Sequence, residues 1–171
     1  MDDGQHILSR TPQMVGDSSL LNRTLKAFLC SGGKFPDEVF ASVRRWVRSL
    51  DRERDCVLVG NLLGLERFVI RLLLEQKVPL AIVFAEALPS DMNELAMMLH
   101  DFPIKEALEA NRLLVLSVND DAEDCAATGM NARMRNLWML GRAQQTVVGF
   151  LRPGGKLFQQ VRGRRNVLVL K

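Results

Sequence analysis

Several residue types that common chemistries require are scarce in this sequence. It has no tyrosine and only 6% aromatic residues, which argues against an aromatic base-stacking groove. The cysteines, Cys30, Cys56 and Cys125, lie far apart without a Cys-x-x-Cys pair, so we expect isolated thiols in a reducing cytoplasm, with no disulfide framework and no thiolate metal site. The histidines, His6 and His100, lack metal-ligand spacing, so we also expect no bound metal and no histidine-based catalysis.

Long apolar runs are also missing. No stretch approaches the roughly 20 apolar residues of a membrane span, so we expect no membrane association. The start, Met1–Gly4, is acidic and has no apolar core, which predicts that no signal peptide is present. With 171 residues, 47% of them hydrophobic and 25% charged, the composition is that of a globular protein, and one domain is the expectation.

The last third of the chain lacks acidic residues altogether. Up to Cys125 there are 14 Lys and Arg against 20 Asp and Glu, a net charge of −6. From Ala126 to Lys171 there are nine Lys and Arg and no acid, a net charge of +9. Such a one-signed surface favours a phosphate or a polyanion as partner. The alternative is a basic subunit interface.

Short apolar segments alternate with stretches in which apolar residues recur at helical spacing, as in Val39–Leu50 and Leu65–Leu73. This alternation predicts an α/β protein with a three-layer Rossmann-like fold and a mostly parallel sheet of about six strands. We expect an N-terminal arm, or an ordered lead-in, over residues 1–24 and a single domain over residues 25–171. The predicted strands are residues 26–31, 55–60, 79–85, 112–117, 146–151 and 166–170.

Three of these strands run into glycine-containing turns, which should open on the same edge of a parallel sheet. Ligands of such sheets bind beyond the carboxyl ends of the strands, where glycines let backbone N–H groups approach an anion. The alternative is that the glycines only allow tight turns. The predicted phosphate cradle consists of Ser31, Gly32, Gly33 and Lys34 after the first strand, Gly60, Asn61 and Gly64 after the second, and Pro153, Gly154 and Gly155 after the fifth.

Better-known phosphate and hydrolase motifs are absent. No Gly-x-Gly-x-x-Gly follows the first strand, and no acid ends the second, so the dinucleotide-binding pattern is missing. The sequence Ser31-Gly32-Gly33-Lys34 lacks the spacing of a P-loop. No Gly-x-Ser-x-Gly elbow occurs either.

Two arginines stand near the start of the helix predicted over residues 131–142. Arg133 and Arg135 each carry a planar fork that fits a phosphate, and cations at a helix N-terminus are unfavourable unless an anion binds there. We therefore predict that both contribute to phosphate binding. The alternative is a solvated arginine pair.

The segment from Val57 to Leu88 resembles the core of the DprA/Smf DNA-processing proteins, in which a strand ends in a Ser-Gly-x-x-x-Gly-x-Asp turn. Gly60 and Gly64 match the turn glycines, while Val59 and Glu66 replace the serine and the aspartate. Arg133 and Arg135 match the family's arginine-rich helix, and the order of elements agrees over residues 25–170. The resemblance implies a single-domain member of the wider SLOG superfamily that binds single-stranded DNA and forms a homodimer.

A second branch of that superfamily, the LOG phosphoribohydrolases, is similar at two other places. Met130–Arg133 matches part of its arginine motif, and Pro153–Gly155 matches the start of its glycine loop. The catalytic glutamate is missing, and the neutral Gln159 and Gln160 stand nearby, which leaves Glu66 or Glu86 as possible substitutes.

The leading hypothesis is therefore a non-enzymatic domain that holds a nucleotide or single-stranded DNA by its phosphate, without a cofactor or metal. The alternative is a LOG-type nucleoside 5′-monophosphate phosphoribohydrolase. A third hypothesis is an assembly or sensor protein whose basic third forms a dimer interface.

Overall fold

Strands and helices alternate along the chain as the apolar pattern predicts. The computed structural model describes residues 13–119 and 129–171, so His6, Cys125 and the first twelve residues of the predicted arm lie outside the described part. The strands are β1 Gln13–Gly16, β2 Thr24–Leu29, β3 Asp55–Val59, β4 Leu80–Phe84, β5 Leu113–Ser117, β6 Gln145–Val148 and β7 Val167–Val169. The helices are α1 Glu38–Arg48, α2 Gly64–Glu75, α3 Met92–Met98, α4 Ile104–Glu109, α5 Gly129–Arg142 and α6 Lys156–Val161, with a short 3-10 helix at Ser18–Asn22.

All seven strands form one sheet in the order β1-β5-β4-β3-β2-β6-β7. The six strands expected from the sequence are all present and pair in parallel, which confirms the mostly parallel sheet. The seventh, β1, is an edge strand that the sequence did not predict, and it pairs antiparallel with β5 from Gln13 opposite Ser117 to Gly16 opposite Leu114. Gln13–Gly16, which lies within the predicted arm, is thus part of the sheet.

The sheet is covered on both faces, which explains why its strands are continuously apolar. In β3, Val57 and Val59 face a core closed by helices α1 to α4. Cys56 and Leu58 face the opposite core, which the 3-10 helix, α5 and α6 close. The structure thus confirms the three-layer arrangement. Within the described ranges, no helix is both long and apolar enough to cross a membrane.

The strand order places a change of direction between β2 and β6. From β2 the chain moves outward through β3 and β4 to β5, and it then returns to add β6 and β7 on the other side of β2. Ligands of open α/β sheets bind beyond the carboxyl ends of the strands at such a point. The turns after β2 and β6 are therefore neighbours at the edge where a ligand is expected.

Candidate functional site

A crevice of about 910 Å³ opens at this change of direction. Its walls come from the turns after β2 and β6, from residues 130–137 of α5, and from α6, and Leu63 adds to the lining from the turn between β3 and α2. Three cations line it, namely Arg133, Arg152 and Lys156, and all three residues are exposed. No carboxylate from residues 13–119 or 129–171 lines this crevice. The crevice is therefore positively charged as far as the described residues determine it.

The turns after β2 and β6 are joined by hydrogen bonds that involve Arg152. Its backbone N–H donates to Ser31 Oγ at 2.9 Å, and its Nη2 donates to the Gly32 carbonyl at 2.9 Å. Gly33 has a φ of +88°, and a side chain there would meet the Arg152 guanidinium. The fold thus brings the first and third predicted glycine turns together and holds an arginine between them.

The predicted cradle residues of these two turns fall into two groups. Ser31, Gly32 and Gly155 line the crevice. The others lie in the same two turns and are exposed to solvent: Gly33, Lys34, Pro153 and Gly154.

The second glycine turn, between β3 and α2, is occupied by a carboxylate of the protein itself. The backbone N–H groups of Leu62 and Leu63 both donate to Glu66 Oε1 at 2.9 Å. These are donors that an anion at this helix start would use. The Asn61 side chain is also engaged, because its Oδ1 accepts from Arg67 Nη1 at 2.9 Å. None of Gly60, Asn61 and Gly64 lines the crevice, although Leu63 of the same turn does.

Arg135 compensates the charge of that carboxylate. Its Nη2 donates to Glu66 Oε2 at 3.0 Å, and the two side chains are 4% and 1% exposed. Gly60 packs against this pair so closely that a Cβ atom there would lie 2.6 Å from Arg135 Cζ and 2.5 Å from Glu66 Oε2. The glycine is thus required by the ion pair. Arg135, predicted to contact phosphate, is buried and does not line the crevice, whereas Arg133 does.

Hydrogen bonds connect the buried pair to the crevice wall. Arg135 Nε and Nη2 donate to Asn136 Oδ1 at 3.2 and 3.0 Å. Asn136 Nδ2 donates to Gln160 Oε1 at 3.2 Å, and Gln160 Nε2 donates to the Arg133 carbonyl at 3.1 Å. Because a guanidinium only donates, it fixes the orientation of the Asn136 amide. Sequence reasoning assigned no role to Asn136, and no local pattern marks it.

Neither glutamate proposed as a catalytic substitute lines this crevice. The carboxylate of Glu66 is bound to the β3–α2 turn and to Arg135. Glu86 lines a different crevice of about 540 Å³, beside β1 and the carboxyl end of β4, together with Glu94. Among the described residues, no three His, Cys, Asp or Glu side chains gather in a way that suits a metal ion.

Two described cysteines are buried, and this makes a testable prediction. Burial raises the pKa of the Cys56 thiol to about 12, and burial together with the nearby Glu66 carboxylate raises the pKa of Cys30 well above its ordinary value. Since the thiolate is the reactive form, folded Cys125→Ser protein at about pH 8 should react far more slowly with Ellman's reagent than the same protein in urea. Rapid release of one equivalent of thionitrobenzoate on mixing the folded protein with the reagent would contradict this prediction.

Solved structures of similar fold include two DNA-processing proteins. DNA processing protein A (DprA) from Streptococcus pneumoniae aligns with a TM-score of 0.57 and 16% identity, covering 79% of this chain and 44% of that one. DprA from Helicobacter pylori, whose structure is described for its single-stranded DNA binding mode, aligns with a TM-score of 0.57 and 16% identity over 85% of this chain and 64% of that one. No protein-family model and no curated protein sequence matches. The resemblance to DprA is thus confirmed for the fold, and this chain spans less than two thirds of either relative.

Proposed function

We propose that this protein is a non-enzymatic domain that binds the phosphates of a nucleotide or of single-stranded DNA in the crevice between the carboxyl ends of β2 and β6. The observation that carries the proposal is the convergence of Arg133, Arg152 and Lys156 on one crevice. No described carboxylate pairs with Arg133 or Lys156, so their charge is available to a ligand. The fold that the chain shares with DprA proteins supports single-stranded DNA as the ligand.

The physical chemistry of the crevice suits a phosphate. Arginine forks bind phosphate oxygens in two-point fashion, and a lysine adds a point charge. Ser31, Gly32 and Gly155 bring backbone and a hydroxyl to the same wall. Lys34 adds a further exposed cation in the turn after β2. The homodimer that the resemblance implies, and the cytoplasmic location that the isolated cysteines imply, belong to the same proposal.

The LOG-type hydrolase gains no support from the described residues. Cleavage of an N-glycosidic bond needs a carboxylate beside the developing positive charge of the ribose. The Glu66 carboxylate accepts hydrogen bonds from the β3–α2 turn and from Arg135, and Glu86 lines the other crevice. Release of free adenine from AMP, abolished by Arg133→Ala, would overturn the non-enzymatic proposal.

A binding titration tests the proposal. Fluorescence anisotropy of a labelled single-stranded oligonucleotide should show binding at low salt, and Arg133→Ala should weaken it about tenfold, as expected for one charged contact. Arg142→Ala is the matched control, because Arg142 is an exposed arginine at the other end of the same helix, beside Trp138. An equal loss of oligonucleotide affinity in Arg133→Ala and Arg142→Ala would contradict a specific role of the crevice. Competition by unlabelled AMP distinguishes a mononucleotide site from a site for a strand.

A further inference from the structure

The turn between β3 and α2 has the groups of an anion site, although the anion in it belongs to the protein. The backbone N–H groups of Leu62 and Leu63 converge on one oxygen of the Glu66 carboxylate, each at 2.9 Å. The other oxygen accepts from Arg135 Nη2 at 3.0 Å. Backbone donors at the start of a 12-residue helix, together with a guanidinium, are groups with which proteins bind an external oxyanion.

The donors at this turn exceed those that the carboxylate uses. Arg135 is 3% exposed, and its Nη1 is buried without a hydrogen-bond partner among the described residues. This nitrogen lies against the turn, because it is the atom nearest to the position that a Cβ atom at Gly60 would take. Buried donors normally have an acceptor, so the turn has room for more acceptor oxygen than Glu66 supplies.

No other described side chain does the work of the Glu66 carboxylate. The residue before α2 is Leu63, and its side chain makes no capping hydrogen bond. In residues 13–119 and 129–171, Arg135 forms an ion pair with Glu66 and with no other carboxylate. Removing the Glu66 carboxylate would therefore leave two backbone donors and a buried cation without an anion. The turn adjoins the crevice through Leu63, which gives an external anion a way to reach it.

We propose that the β3–α2 turn and Arg135 form a second anion-binding site, of the size of a carboxylate, which Glu66 fills from within. Glu66 then excludes external anions from this turn in the wild-type protein, and only loss of its carboxylate opens the site. The proposal concerns a different turn from the crevice of the proposed function. It holds whether or not that crevice binds a ligand.

Rescue of the variant Glu66→Ala by acetate tests this proposal. The substitution keeps Cβ and deletes one methylene and the carboxylate, which acetate matches in size and charge. A titration to about 200 mM acetate should raise the midpoint temperature of thermal unfolding by about 4 °C above a chloride series of equal ionic strength, as for a site about tenfold above its dissociation constant. The wild-type protein and Glu66→Gln should shift by less than about 1 °C, because their sites stay filled.

The double variant Glu66→Ala/Arg135→Met is the matched control. It lacks the same carboxylate but has no buried cation at the turn, so acetate should shift its midpoint by less than about 1 °C. Equal shifts in Glu66→Ala and in the double variant would show a general effect of acetate and would overturn the proposal. The absence of any shift in Glu66→Ala would overturn it as well.

A second measurement covers the case in which Glu66→Ala is unfolded in chloride. Far-ultraviolet circular dichroism then compares the helical signal of this variant in acetate and in chloride. Recovery of the signal in acetate alone supports the proposal, and a variant that stays unfolded in acetate contradicts it. None of these readouts uses a nucleotide or an oligonucleotide, so their failure is distinguishable from failure of the proposed function.

Discussion

Replacing Glu66 by methionine is expected to lower the free energy of unfolding by about 3–5 kcal/mol, because it leaves the buried Arg135 guanidinium without its counter-charge. The substitution also removes the acceptor of the Leu62 and Leu63 N–H groups at the start of α2. Burial sets this magnitude, since exposed ion pairs contribute only about 0–1 kcal/mol. Urea unfolding followed by circular dichroism measures the change.

Two further variants separate the effect of the unpaired charge on the free energy of unfolding from the effect of lost packing and hydrogen bonds. Glu66→Gln keeps an oxygen for the backbone donors and should cost less than Glu66→Met. The double variant Glu66→Met/Arg135→Met has no unpaired buried charge, so it should be more stable than Glu66→Met alone. A loss below about 1 kcal/mol in Glu66→Met would show that the pair does not carry the stability assigned to it.

The affinity for single-stranded DNA is expected to fall roughly 50-fold between about 50 and about 200 mM salt. Each neutralised phosphate of a single strand contributes a slope of about −0.7 to the logarithmic salt dependence. With Lys34, Arg133, Arg152 and Lys156 each neutralising one phosphate, the slope is about −2.8. Anisotropy titrations at several salt concentrations give it directly.

Single substitutions test how many cations take part. Arg133→Ala should reduce the steepness of the salt dependence by about 0.7, whereas Arg142→Ala should leave it unchanged. An affinity that does not vary with salt would exclude phosphate contacts as the source of binding.

Most of the fold could be predicted from the sequence because most of its strands are continuously apolar and are separated by stretches in which apolar residues recur at helical spacing. The exception, β1, is a four-residue strand with two exposed residues, and it is defined by antiparallel pairing with β5. That pairing joins residues about a hundred positions apart, so no local pattern reveals it. The strand order, which places the crevice, likewise depends on packing between distant elements.

The sequence likewise predicted those parts of the candidate site that have a local pattern and missed those that depend on contacts between distant residues. The turns holding Gly32 and Gly155 were recognised because glycine-containing turns at strand ends are local features. The role of Glu66 had a local signal too, since an acid at the third position of a helix caps the backbone at its start. Its partner Arg135 lies 69 residues further along the chain, and only the fold brings the two side chains together.

The most direct test of phosphate binding at the β2–β6 crevice is a titration of ¹⁵N-labelled protein with an oligothymidylate of about ten nucleotides, followed by the glycine amide resonances. We predict that the amide resonances of Gly32, Gly33, Gly154 and Gly155 shift, because these residues belong to the two turns at the crevice. Gly60 and Gly64 should move little, since Glu66 already occupies their turn. Large shifts at Gly60 and Gly64 with none in the other two turns would contradict the account.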